Sequence, residues 1–152
     1  GLLATADMTA LQSMIDTNVL GPIACARAAL PLMLAKKRGV LLFVGSIAAS
    51  RPARGQAAYA ASKGAVEALT RAIAVEYGRK GIRAVCIRPG AVDTDMLAAT
   101  RTMAEDEVVQ RIPMRRVGTP DEIARVAAML LTDDAAYVNG AVIDVDGGYA
   151  AS

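Results

Sequence analysis

Histidine and tryptophan are absent from the 152 residues, and phenylalanine occurs once. Without histidine, the usual zinc sites and the histidine-based nucleophiles are nearly excluded, and no metal is expected. Only two cysteines occur, Cys25 and Cys86, far apart and with no CxxC spacing. Both are expected to be reduced, buried thiols. No run approaches the roughly 18 apolar residues of a membrane helix. The 54% hydrophobic content and mean hydropathy of +0.35 therefore read as a packed core. An excess of one charge sign is also missing: 17 basic against 15 acidic residues leave +2, too little to suggest nucleic acid. No repeat, low-complexity tract or cleavable leader is legible, so a cytoplasmic protein with no membrane partner is the expectation.

The length suits one domain able to bury a core. Three short apolar runs read as strands: Val40 to Val44, Ile82 to Ile87 and Ala141 to Val145. Each is bounded by Gly or Pro-Gly, as in a parallel sheet covered by helices. Helical patterns alternate with them. The first is expected to begin near Thr9, with Thr9 and Gln12 as a capping box. A second spans about Ala57 to Gly78, with an apolar stripe of Val66, Leu69, Ile73 and Tyr77. Beside it runs an all-small stripe of Ala61, Ala65, Ala68 and Ala72. A third opens at Thr119-Pro120-Asp121-Glu122, a capping box with proline in the first turn. Residues 95 to 118 form a long mixed connection, of the kind that often serves as a lid over a substrate. The alternation predicts α/β layering, with ligands beyond the carboxyl ends of the strands.

At those ends stand Ser46, the segment Pro89 to Thr94, and Asp146-Gly147-Gly148. The pentapeptide Tyr59-Ala-Ala-Ser-Lys63 places a phenol and an ammonium one helical turn apart with only small side chains between. A phenol of pKa about 10 costs roughly 4 kcal/mol to ionise at neutral pH, and a nearby ammonium lowers that cost. Tyr59 as donor, Lys63 as tuner and Ser46 as positioner would make an acid/base site that needs no histidine. Pro22 cannot give a helical hydrogen bond to the Asn18 carbonyl, which would leave that oxygen able to hold a water.

Taken together these segments resemble the short-chain dehydrogenase/reductase (SDR) family. Asn18 in DTNVLG, Ser46 in FVGSIAAS, and Tyr59 and Lys63 in YAASK look like its catalytic tetrad, in order. PGAVDT, Pro89 to Thr94, resembles its PG motif, and GTPDEIA and DVDGGY its last helix and strand. The resemblance implies a Rossmann-type doubly wound parallel sheet and an NAD- or NADP-dependent oxidoreductase acting on an alcohol or ketone. Tyr59 would be the general acid/base, Lys63 would lower its pKa and meet the nicotinamide ribose, Ser46 would polarise the carbonyl, and Asn18 would hold a proton relay. Pro89, Gly90, Val92 and Thr94 would contact the cofactor with Tyr59 and Lys63. A homo-oligomer through the helices at 10–36 and 57–78 is expected.

The family's glycine-rich pyrophosphate turn is not legible, since no two glycines stand two or four positions apart. The expectation is therefore one partial SDR domain over 1–152, holding the last three strands and lacking the first four. Alone it would be inactive, acting within a longer chain or with a missing N-terminal half. A non-catalytic piece that associates with a complete homologue is the alternative. Cofactor-free relatives such as the halohydrin dehalogenases pair the tyrosine with arginine, and Lys63 argues against them. Basic residues at Lys36 to Arg38 and at Arg79 and Lys80 suit helix-dipole pairing. They would also suit an acyl carrier protein, as in the 3-oxoacyl-carrier reductases that PGAVDTDM resembles.

Overall fold

Asp7, rather than Thr9, opens the first helix of this computed structural model, which describes residues 2–93 and 104–152. Its carboxylate accepts the Thr9 amide at 2.9 Å, and Gln12 Nε2 donates forward to Asp16 Oδ1 at 2.8 Å. The expected Thr9–Gln12 box does not form, because a shorter acceptor two residues earlier already satisfies the amide. Helix α1 then runs unbroken over Met8–Lys36, with its middle turn, Asp16–Leu20, wound as a π turn. The Gly21 amide reaches back five residues to the Asp16 carbonyl. By length and composition these 29 residues could cross a membrane, which the sequence reading did not anticipate because Asp16, Asn18 and Arg27 interrupt every apolar run. Cys25 is exposed on this helix, against expectation; only Cys86 is buried.

Strand β1 is Gly39–Val44, followed by a turn capped by Ser46 and by helix α2, Ala57–Tyr77. Strand β2, Ile82–Pro89, continues two residues past its expected end. Helix α3, Ala104–Arg111, lies inside the stretch 95–118 read as a loop; residues 95–103 of that stretch, and Thr94 before it, lie outside the described residues. Helix α4, Pro120–Leu131, opens with the full capping box of Thr119 and Glu122, as the sequence foretells. Strand β3 is Val142–Val145.

The three strands form one parallel sheet in the order β1-β2-β3, with Gly39 beside Ile82 and Arg88 beside Asp144. Central β2 is the most deeply covered element: Ile82, Ala84, Val85 and Cys86 have no exposed surface. Burial of one such isoleucine contributes about 2 kcal/mol. On one face Ala84 and Cys86 pack with Val66, Ile73 and Ala74 of α2; on the other Ile87 packs with Leu130 of α4. Gly81, at φ +79°, lets β1 and β2 start side by side, because a Cβ there would stand 2.1 Å from the Lys37 carbonyl oxygen. The result is an α/β Rossmann-like layering with a parallel sheet between helices.

Candidate active site at the carboxyl ends of the strands

Tyr59 stands in the first turn of α2, and Lys63 follows one turn later because an α-helix returns to the same face after four residues. The Lys63 Nζ lies 5.8 Å from the centre of the Tyr59 ring, so the cation and the phenol share one side of the helix. Lys63 Nζ also donates to the Val44 carbonyl at 3.0 Å, at the end of β1. Burial pushes the Lys63 pKa below that of a free lysine, and the nearby Cys86 works in the opposite direction.

Asn18 reaches this pair through a residue the sequence reading passed over. Its Nδ2 donates to Ser62 Oγ at 3.1 Å, and Ser62 Oγ donates to the Tyr59 carbonyl at 2.8 Å. Ser62 is fully buried, so both bonds are made away from water. A serine three residues after the tyrosine, on the inward face, was the available signal. The π turn in α1 holds Asn18 there, and π turns recur at functional positions. Asn18, Thr17 and Pro22 line a cleft of about 570 Å³ with Lys63 and residues 41–44 of β1. Tyr59 borders a second, smaller hollow of about 240 Å³ with Leu11, Met14 and Gly55.

Ser46 follows β1 by two residues, and its Oγ accepts the Ala48 amide at 3.2 Å, capping the turn Ile47–Ala49. Gly45 and Gly90 align the neighbouring strand ends: the Gly45 amide donates to Ile87 and the Gly90 amide to Val145. At Gly90 an added Cβ would stand 2.8 Å from Asp146 Cα, so only glycine lets this loop lie against β3. Past it, Val92 bridges Gly118 in parallel, and the Asp93 amide donates to the Gly118 carbonyl at 2.9 Å. This clip joins the loop after β2 to the start of α4, and no residue pattern announced it. The structure thus gathers Asn18, Tyr59 and Lys63, and sets Ser46, Pro89, Gly90 and Val92 along the strand ends.

Residues 1–150 match the family described as Enoyl-(Acyl carrier protein) reductase. The chain is 40% identical over 137 residues to the 3-oxoacyl-[acyl-carrier-protein] reductase MabA of Mycobacterium tuberculosis, covering 90% of this chain and 56% of that protein. The chain belongs to the short-chain dehydrogenase/reductase family. This family member is also 37% identical over 153 residues to the 2-(R)-hydroxypropyl-CoM dehydrogenase of Xanthobacter autotrophicus, across 99% of its own length and 61% of the relative's. Among solved structures it superposes on ElxO with NADP bound at a TM-score of 0.93, with 31% identity, covering 100% of this chain and 62% of that one. The SDR chain therefore spans less than two thirds of the length of these relatives.

Proposed function

We propose that this chain carries the acid/base part of an NAD- or NADP-dependent oxidoreductase that interconverts an alcohol and a ketone. The observation that carries the reading is the Lys63 ammonium beside the Tyr59 ring on one face of α2. A bound nicotinamide would supply or accept the hydride. Tyr59 gives its hydroxyl proton to the carbonyl oxygen during reduction and takes it back during oxidation. Lys63 keeps a positive charge beside the phenolate that this leaves. Ser46 donates to the same carbonyl oxygen, and Asn18, tied through Ser62, anchors the path by which the proton is replaced. Tyr59, Lys63, Pro89, Gly90, Val92 and Thr94 border the cofactor, and the bare Gly90 backbone suits its close approach. Residues 95 to 118 cover the substrate.

This single partial domain works within a longer chain or beside a missing N-terminal half. Support comes from the cleft of about 570 Å³ along β1, whose outer edge has no strand partner among the described residues. The same open edge favours the second reading, a non-catalytic piece that associates with a complete homologue. Exposed apolar and small side chains on α1 and α2, such as Leu32 and Val75, suit contacts between copies. An acyl carrier protein is the proposed donor of an acyl substrate, by analogy with MabA.

The test is reduction of acetoacetyl-CoA by the full-length protein with NADPH or NADH. Tyr59→Phe is expected to lower kcat by about 10²- to 10⁴-fold while NADPH still binds. Undiminished turnover in Tyr59→Phe contradicts the acid/base role. Failure of the wild type to bind either nucleotide leaves the non-catalytic reading. Lys80→Glu is expected to raise KM for a carrier-bound acyl substrate only; an equal rise for acetoacetyl-CoA rejects carrier docking.

A further inference from the structure

Glu67 lies one helical turn beyond Lys63 on α2 and is 8% exposed. A carboxylate so covered requires compensation: Arg88 of β2 places a nitrogen 3.4 Å from Glu67 Oε1, and Arg71, one turn along α2, stands 3.8 Å from Oε2. The same guanidinium closes a two-point fork on Asp144 of β3, Nε to Oδ1 at 2.5 Å and Nη2 to Oδ2 at 2.8 Å. The sheet register makes this fork possible by setting Arg88 beside Asp144. One side chain thus joins α2, β2 and β3 immediately before Pro89–Gly90.

The rest of the α2–β2 contact near this point is mostly apolar, Val66, Ile73 and Ala74 against Ala84 and Cys86, with the buried Thr70 hydroxyl at Cys86 among them. Such packing holds the helix on the sheet but has no preferred direction along it. Hydrogen-bonded charges do, because their strength falls steeply with angle and distance. Other polar ties from α2 to the sheet are Lys63 to the Val44 carbonyl, Thr70 to Cys86, and, at the far end, Asn139 between the Ala74 carbonyl and the Ala84 amide. Of these, the Glu67–Arg88 tie is the one that meets the residue leading into the Pro89–Gly90 loop. A buried ion pair is a poor source of stability compared with apolar residues of equal size. Its value at this place lies in fixing register.

We propose that Arg88 is a positioning residue for the nicotinamide cofactor. Through Glu67 it sets α2 against β2, and so sets the separation between the Lys63 ammonium and the Pro89–Gly90 loop. The inference rests on the nicotinamide reading above, which places the cofactor across both. Asp144 holds the guanidinium plane from the opposite side, so that Arg88 presents a fixed nitrogen to Glu67.

The experiment uses full-length wild type, Glu67→Met, Arg88→Met and the double variant, with NADPH fluorescence titration and thermal melting on each. Arg88→Met leaves the covered Glu67 carboxylate with only Arg71, 3.8 Å away, and the melting temperature falls. Glu67→Met leaves Arg88 on its Asp144 fork, and the melting temperature falls less. The double change removes both covered charges and leaves unpaired only Asp144, which is exposed, so the melting temperature recovers relative to Arg88→Met. NADPH Kd is expected to stay raised about tenfold in the double variant despite that recovery, and to be no weaker than in Arg88→Met alone. A double variant that regains both wild-type melting and wild-type Kd overturns the proposal and leaves Arg88 a structural ion pair. Should neither single variant fold, the double variant alone decides between these results. Wild type that binds neither NADPH nor NADH overturns the nicotinamide reading itself, and this inference with it, before any variant is compared.

Discussion

Lys63 sits where its own ionisation is costly, half-covered by Val66, residues 41–44 of β1 and α1, with one hydrogen bond to a carbonyl as compensation. Burial lowers its pKa in the folded chain, so between that lowered value and 10.5 the unfolded chain binds more protons than the folded one. Stability must therefore rise with pH through that window, and the penalty is fully present below it. Lys63→Met is expected to raise the melting temperature at pH 7, with the gain shrinking as pH approaches 10.5. A gain that is constant with pH, or a loss at pH 7, contradicts this. Such a stabilised but inactive variant is what a functional residue produces when its environment serves chemistry rather than folding. Ser62 behaves oppositely. Ser62→Ala leaves the Asn18 amide without its acceptor and is expected to cost about 1–3 kcal/mol of stability in denaturant titration. The Tyr59–Lys63 pair was legible because helical spacing alone puts the two on one face. Ser62 carried a signal, four residues before Val66 on the inward stripe of α2. Glu67 and Arg88 were not legible, because their pairing depends on how α2 crosses the sheet and on the β2–β3 register, which a lone glutamate or arginine does not give.

At the scale of elements, local chemistry decided what could be foreseen. The cap of α4 is a contact between residues three apart, and the structure has it as expected: Glu122 Oε2 accepts the Thr119 amide at 2.9 Å. The Arg116 guanidinium, with help from that amide, lowers the Glu122 pKa to about 2. This contribution is present above the ordinary value of 4.5 and is lost as pH falls toward 2, so the α4 start is expected to fray over that range. Hydrogen exchange at the Glu122 amide that is unchanged between pH 5 and pH 2.5, after correction for intrinsic rate, contradicts it. The other end of α4 depends on distant sequence. Arg83 of β2 donates to the carbonyls of Leu130, Thr132 and Val138, and so closes the helix C-terminus against the sheet. Arg83→Met is expected to destabilise the fold by about 2 kcal/mol. The π turn in α1 and the Val92–Gly118 bridge escaped prediction for related reasons. A five-residue hydrogen bond has no residue signature of its own, and a single bridge pairs positions that no periodic pattern marks.

For the whole molecule, the distribution of covering is uneven in a way that bears on assembly. Strand β2 is sealed on both faces, whereas only 6% of the most apolar 18-residue window of α1 is buried. The alternation of runs in the sequence revealed three parallel strands between helices, because burial on both faces forces continuous apolar segments. It also revealed that α1 continues through Asn18 and Pro22, since Leu11, Ile15, Asn18, Pro22 and Ile23 keep helical spacing, but not that its middle turn is wound as a π turn. Under the proposed assembly of copies through α1 and α2, Ala68→Arg on the exposed small stripe is expected to shift sedimentation toward smaller species. An unchanged sedimentation profile contradicts contact through that stripe. The account as a whole depends on hydride arriving at a carbonyl whose oxygen Tyr59 protonates. The most direct measurement follows deuterium from NADPH labelled at C4, on either face, into the product of acetoacetyl-CoA reduction by the full-length protein. The account predicts one deuterium on the new carbinol carbon from one face of the label with wild type, and none above background with Tyr59→Phe. Equal deuterium transfer by the two proteins would contradict it.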